Sequence, residues 1–434
     1  MAKLAIKGGK PIISKGLKTK WPVFDDADRK ALIDVLESGQ WCSLSSFDFD
    51  SKVAQFEREF AKWIGTKYAI ATNNGTTALT VALKAGGIEA GDEVIVPAVT
   101  FVASATAVIL ANAVPIFVDI DPDTYQISPE AVETAITDKT KAIMPVHYGG
   151  YPADMDRIMQ TAKKYKLLVI EDAAEAHGSE WKGKKVGSIG DMGCFSFQMG
   201  KPLTCGEGGI IVTNNENLMN KCSAYGDFGR RREDSGRFSG DESALQEMIR
   251  QDKYVHYLPA GNSRMSEFLG ALLLVQLSRL EEQTEVRYKN GEYFAKQLEK
   301  IGGISALKRD PRVTRRGYYF YFLKYDSSKW NGIYRDKFMG ILSAEGVPVS
   351  RAHNNPVYKY PIFQNNAFGR TGCPISCSFY GKKIDYSEVY CPVAERIYQS
   401  EIIALGKNFL LEKKNVDKIL EAIYKIKENI NELK

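Results

Sequence analysis

The chain has 434 residues, of which 44% are hydrophobic and 26% charged. Those proportions exclude wholesale disorder and allow a large core that needs no disulfide or metal staple. With 58 basic and 53 acidic residues the net charge is +5, too balanced for a dedicated nucleic-acid binder.

The N-terminal stretch MAKLAIKGGKPIISK lacks an apolar h-region, so no export signal is expected. A helix is predicted near Asp26–Ser38. A second, near Ser51–Ile64, sets Val53, Phe56, Phe60 and Trp63 at helical spacing. The turn NNGTT opens a third helix through Leu79 and Leu83, and EVIVPA (Glu93–Ala98) reads as a buried strand. A helix near Val102–Ala111 and the strand Val114–Ile120 follow. This is the longest apolar stretch, and Ser104, Thr106, Asn112 and Pro115 argue against a membrane span.

Strands are predicted over Lys141–His147, Leu167–Ala174, Met192–Gln198 and Gly208–Asn214, with a helix over Ala153–Tyr165. Strand–helix alternation with continuously apolar strands predicts an α/β fold, a mostly parallel sheet with helices on both faces. Gly226–Lys253, which contains RRRED, breaks the rhythm and reads as a long exposed, charged loop, all coil or in part helical. A long helix or bent helix pair is expected over Met265–Ile301. A strand over Tyr318–Tyr325 opens a smaller unit, and an amphipathic helix over Asn415–Lys427 closes it. We divide the chain into a large unit, residues 1–280, and a smaller α+β unit, residues 281–434.

Seven cysteines in a long chain without an export signal read as reduced thiols of a cytosolic protein. Cys373, Cys377 and Cys391 have no histidine in their segment, His353 being the nearest, so no metal site is expected.

Four short segments can carry chemistry. In SFQMGKPLTCGEGG, Lys201 stands between a strand and a Gly-rich turn. A lysine in a partly dry site can lose its proton and form a Schiff base with an aldehyde. The bland reading is a surface lysine. In LLVIEDAAEAHG, Asp172 lies at the carboxyl end of a buried strand, where open α/β sheets bind ligands. Such a carboxylate could hold a protonated pyridine nitrogen, or simply cap a following helix. In ATNNGTTAL, Gly75 and Thr76 start a helix whose free N–H groups favour phosphate, unless this is an ordinary turn. In VPAVTFVAS, Phe101 follows a strand end and could stack on a flat ring, unless it is a core residue. Taken together and in this order, the four are the parts that hold pyridoxal phosphate, with Lys201 shuttling a proton.

The sequence resembles the DegT/StrS-type aminotransferases, fold type I pyridoxal-phosphate enzymes that aminate keto-sugars and cyclitols. FEREFAKWIG, GDEVIVPAVTFVAS, PVHYGGYPADMD, IEDAAEAHGS, SFQMGKPLTCGEGG, NSRMSEF and CPVAER carry the resemblance over nearly the whole chain. It implies Lys201 as the Schiff-base lysine, Asp172 as the pyridine-nitrogen partner and Glu175 near the ring hydroxyl. Gly75, Thr76 and Ser196 match phosphate ligands, and Phe101 the stacking aromatic. Asn262 matches a residue that reaches the neighbouring subunit's phosphate, which implies a homodimer with shared active sites. SFQ-x-x-K with CPVAER is similar to the branch of glutamine:scyllo-inosose aminotransferases and aminohydroxybenzoate synthases. That similarity implies a glutamine or glutamate donor and a pyridoxamine phosphate form that aminates a keto-sugar, nucleotide keto-sugar or cyclitol.

Some features depart from the family pattern. Asn74 stands where serine is frequent. Arg230, Arg231 and Arg232 in the charged loop could grip a nucleotide diphosphate or a donor carboxylate, or be merely solvated. His147, His177 and His353 are read as structural. The alternatives are a dehydratase or aromatising synthase on the same scaffold, and a non-catalytic binding protein. Lys201 disfavours the dehydratase, and the complete set of cofactor residues disfavours the binding protein.

Overall fold

The computed structural model describes all residues except 1–2, 18, 43–50, 231–255, 366, 369 and 434. Helix α1 (Asp26–Ser38) begins at a capping box. Asp25 accepts from Ala27 N, and the Asp25 N–H donates to Asp28. Helix α2 (Lys52–Ile64) starts at Ser51, whose hydroxyl accepts from Ala54 N and donates to Glu267 at 2.7 Å. The apolar face of α2 is buried as its spacing predicts. Phe56 and Phe60 are fully enclosed, worth about 1.5–3 kcal/mol each.

The main sheet contains β1 (Tyr68–Thr72), β2 (Glu93–Pro97), β3 (Val114–Val118), β4 (Thr140–Ile143), β5 (Leu168–Asp172), β8 (Met192–Ser196) and β9 (Gly209–Thr213). Two short strands, β6 (Glu180–Trp181) and β7 (Lys184–Lys185), lie outside it and form a small sheet with β11 (Val313–Arg315). The main order is β1-β9-β8-β5-β4-β2-β3. Only β9 runs antiparallel to its neighbours. Buried on both faces, the strands read as unbroken apolar runs. The predicted strand Lys141–His147 is shorter in fact. Pro145 has no N–H for the ladder, and beyond Ile143 only a single bridge, Val146 to Asp172, continues it.

Helices α3 (Gly75–Ala85), α4 (Ala103–Leu110), α5 (Pro129–Ala135) and α6 (Met155–Tyr165) connect these strands, and α7 (Glu216–Gly226) follows β9. The sequence reading missed α5, α7 and the β6–β7 hairpin. The expected loop from Gly226 lies almost entirely outside the described residues, Arg231 and Arg232 included. Arg230 is buried and pairs with Asp227.

Helix α8 (Glu267–Ile301) is one continuous helix of 35 residues, roughly 50 Å long. Asp28 fastens α1 to it through Gln276 and Arg279. Its first half packs Leu273 and Leu280 into the core around the main sheet. Its last turns place Phe294, Leu298 and Ile301 in a second core. That second core lies against a four-stranded sheet of β10 (Ile304–Ala306), β12 (Phe320–Tyr325), β14 (Ile402–Gly406) and β13 (Val349–Ser350). The closing helix, Lys413–Glu428, buries Val416, Ile419, Leu420, Ile423 and Ile426 there. Leu4 and Ile13 join the same core. Residue 280, where we divide the chain, falls inside α8.

Among the described residues no helix is long and apolar enough to cross a membrane, no cluster of ligating side chains could hold a metal ion, and no disulfide forms.

Candidate active site

The parallel strands end on one side of the sheet, and the register there assembles the site. Asp172 pairs with Cys194 on β8, two residues before Ser196. Ser196 and Thr72 both oppose Gly209 at the start of β9. A Cβ on Gly209 would stand 2.4 Å from the Asn74 carbonyl oxygen, so the close approach of these strand ends requires glycine. Three residues beyond β1, Gly75 starts α3.

Gly75, Thr76, Phe101, Asp172, Glu175, Ser196 and Lys201 line one cavity of about 1310 Å³. At one end stands the N-terminus of α3. Asn74 caps Thr77 N at 2.8 Å, and the N–H groups of Gly75 and Thr76 have no intrahelical acceptor. A Cβ on Gly75 would lie 2.7 Å from Ser196 Cβ, so the pair forms a cradle that any side chain at 75 would fill. Phe101 is 55% exposed, so it is a cavity wall and not a core residue.

Asp172 is buried beneath the cavity. Its Oδ2 accepts from Ser104 Oγ at 2.7 Å and its Oδ1 from Ala174 N at 3.2 Å. Turns, not a helix, follow it, so it is no helix cap. Burial pushes its carboxyl above the usual carboxylate range. Ser104, Ala174 and Lys201 pull against that shift without reversing it. Thr100 extends the chain, its hydroxyl 2.7 Å from that of Ser104.

Lys201 Nζ sits 3.5 Å from Glu175 Oε1 and 4.2 Å from the centre of the Tyr319 ring, with the side chain 12% exposed. The other Glu175 oxygen accepts from Gly149 N at 2.8 Å. A buried carboxylate raised by desolvation, a nearly enclosed amine and an anion-ready helix end thus face one space. That set fits a group with a cationic ring nitrogen, an aldehyde and a phosphate.

The histidines divide. His147 Nδ1 accepts from Ala153 N, which leaves Nε2–H to donate to Glu171 at 2.9 Å; its role is structural. His177 packs against the rings of Phe195 and Phe197, and burial keeps it neutral. His353 instead lines the cavity. Burial, with Lys201 nearby, pushes it down to about 4, and its Nε2 has no partner among the described residues.

Asn262 is the one predicted site residue that does not line the cavity. It is exposed beside Gly261 and Ser263, which do, and its side chain accepts from Arg264 N. Sequence reasoning missed Ser104, Tyr319 and His353. Only Ser104 left a local signal, one helical turn after Thr100.

The model of the DegT/DnrJ/EryC1/StrS aminotransferase family matches residues 22–387. The L-glutamine:scyllo-inosose aminotransferase of Streptomyces griseus is 35% identical over 434 residues, covering 99% of each chain. The 3-amino-5-hydroxybenzoate synthase of Amycolatopsis mediterranei is 34% identical over 391 residues, 90% of this chain and 92% of that one. The X-ray structure of an aminotransferase from Psychrobacter cryohalolentis superposes with a TM-score of 0.81 at 33% identity, covering 95% and 99% of the two chains.

Proposed function

The chain belongs to the DegT/DnrJ/EryC1/StrS aminotransferase family, fold type I enzymes of amino-group transfer, and on that premise we propose its cofactor, substrates and residue roles. The cofactor is pyridoxal 5'-phosphate, the donor L-glutamine or L-glutamate, and the acceptor a keto-cyclitol or keto-sugar. The names of the cyclitol-specific relatives favour glutamine and a keto-cyclitol. The observation that carries the reading is the convergence of Lys201, Asp172 and the α3 N-terminus on one cavity.

Pyridoxal phosphate, when bound, supplies an electron sink that makes a substrate Cα–H acidic. Everything else falls to this chain. Gly75, Thr76 and Ser196 hold the phosphate. Phe101 covers one ring face and keeps water from it. Asp172, held by Ser104, keeps a proton on the ring nitrogen. Glu175 faces the ring hydroxyl, and Lys201 moves a proton at the substrate carbon. Asn262, exposed at the rim in one protomer, serves the site of a second copy, so the working unit is a homodimer. The same reading keeps residues 1–280 as the cofactor-binding unit and 281–434 as the smaller one, with α8 shared.

An absorbance scan of the pure protein, before and after L-glutamine or L-glutamate, tests this. A band at the violet edge of the visible that shifts with one donor is the expected result. No band after adding pyridoxal phosphate would overturn the cofactor assignment and favour a binding protein.

A further inference from the structure

The turn that presents Lys201 is held from two directions. Inside it, Gly200 N donates to Gln198 Oε1 at 2.7 Å, and Lys201 N donates to Gln198 O at 2.8 Å. Two consecutive carbonyls, Met199 and Gly200, point outward. Trp21 Nε1 donates to Met199 O at 2.7 Å. Lys407 Nζ donates to Gly200 O from 207 positions along the chain. Lys407 Nζ also lies 4.1 Å from the Trp21 ring centre, so the two clamping side chains touch.

Lys407 is the residue after β14. Its own N–H donates to Tyr319 O, just before β12, which pairs with β14. The Tyr319 ring is the one over which Lys201 Nζ sits. The smaller sheet therefore delivers two contacts to the Lys201 turn, one to its backbone and one to its amine.

Lys407 is 5% exposed, and no carboxylate pairs with it among the described residues. Burial, with Arg287 and Lys201 close, pushes its ammonium down to about 6. Arg287, on α8, is wholly buried and, among the described residues, bonded only to Gly317 O and Thr284 Oγ1. A buried lysine without a counter-charge costs stability, and a single backbone bond does not offset that by itself. Its placement makes sense as a constraint on the turn.

We propose that Lys407 is a positioning residue for Lys201: with Trp21 it clamps the Met199 and Gly200 carbonyls and so fixes where the Lys201 amine points. This rests on the role of Lys201 proposed above. Pinning both carbonyls removes backbone freedom one bond from the reactive residue, where small displacements cost rate more than affinity.

The test compares Lys407→Met, Trp21→Phe and the double variant with the parent, and includes Lys201→Ala. In cofactor-free protein, amide hydrogen exchange over residues 198–206 is followed, with α8 as internal reference. Exchange there should rise on the order of tenfold while α8 is unchanged. With pyridoxal phosphate restored, kcat should fall on the order of ten- to a hundredfold, with KM for L-glutamine held within about twofold. Unchanged exchange, or raised exchange with an unchanged kcat, would overturn the proposal. Should Lys407→Met fail to fold, Trp21→Phe, which keeps an aromatic ring at that position but removes the donor to Met199 and shrinks the surface against Lys407, must show the same pattern. Lys201→Ala separates the two readings. If that variant still turns over, the role of Lys201 fails, whereas the exchange result in cofactor-free chain judges the clamp alone.

Discussion

Replacing Asp172 by Asn should stabilise the cofactor-free protein while disabling it. In the parent, Asp172 accepts from Ser104 and Ala174, at 2.7 and 3.2 Å. An Asn can keep its oxygen towards Ala174 N–H and turn its NH2 group to Ser104 Oγ. Ser104 then passes its own hydrogen to Thr100, 2.7 Å away. The number of hydrogen bonds is preserved and a buried charge is removed, a change worth about 1 kcal/mol at pH 8. The sign with pH follows from linkage. Burial raises the folded carboxyl above its ordinary value of 3.8. Its contribution to stability is therefore fully present below that value and lost as pH rises through the folded one. The advantage of Asn should vanish near pH 3.8 and grow towards neutrality. Urea midpoints of both cofactor-free proteins from pH 4 to 8 measure it. With cofactor bound, turnover of the variant should fall on the order of a hundredfold or more, because the ring nitrogen loses the group that keeps it protonated. An Asn variant less stable than the parent at pH 8, or a difference that ignores pH, would refute the reasoning.

Lys201→Ala should abolish turnover and the violet-edge band while the far-ultraviolet circular dichroism stays unchanged. Gly75→Ala would place a Cβ 2.7 Å from Ser196 Cβ; calorimetric titration should show pyridoxal phosphate binding weakened by about tenfold or more, with a stability loss of roughly 1–3 kcal/mol. Glu171 accepts from Gly187 N, Ile189 N, Gly190 N and His147 at 2.6–2.9 Å. Glu171→Gln turns an NH2 group against those donors and should cost about 3–5 kcal/mol in a denaturation curve.

The helices α1 to α4 were legible because their signals are local: caps, apolar spacing and turn residues. The short elements α5 and β6–β7 were not, since a few residues carry too little periodicity, and α7, 11 residues long, buries Cys222, Ser223, Ala224 and Gly226 with Met219 in place of a stripe of large apolar side chains. Around the site, Gly75, Asp172 and Lys201 stood out because each occupies an unusual place next to a strand end. Ser104 looked like one polar residue in an apolar helix; only the fold shows it 2.7 Å from Asp172. Lys407 looked like one basic residue among 58. Its meaning depends on a contact with Gly200 that no spacing encodes. The long charged loop lies outside the described residues apart from its first few positions, of which Arg230 pairs with Asp227.

One reversed strand has a consequence for how this scaffold can change. Because β9 opposes β8, the link carrying Lys201 returns directly between interior neighbours of the sheet, with no helical crossover. Both of its ends are rooted in the most enclosed part of the molecule. Drift in sequence can therefore hardly move the Lys201 amine. It can reshape what surrounds it, because Tyr319 and Phe320, at the start of β12, and Ala352 and His353, just after β13, reach the cavity from the smaller sheet. New acceptors are best sought by varying Phe320, Ala352 and His353, with the Tyr319 ring against the Lys201 amine left as a fixed point of reference.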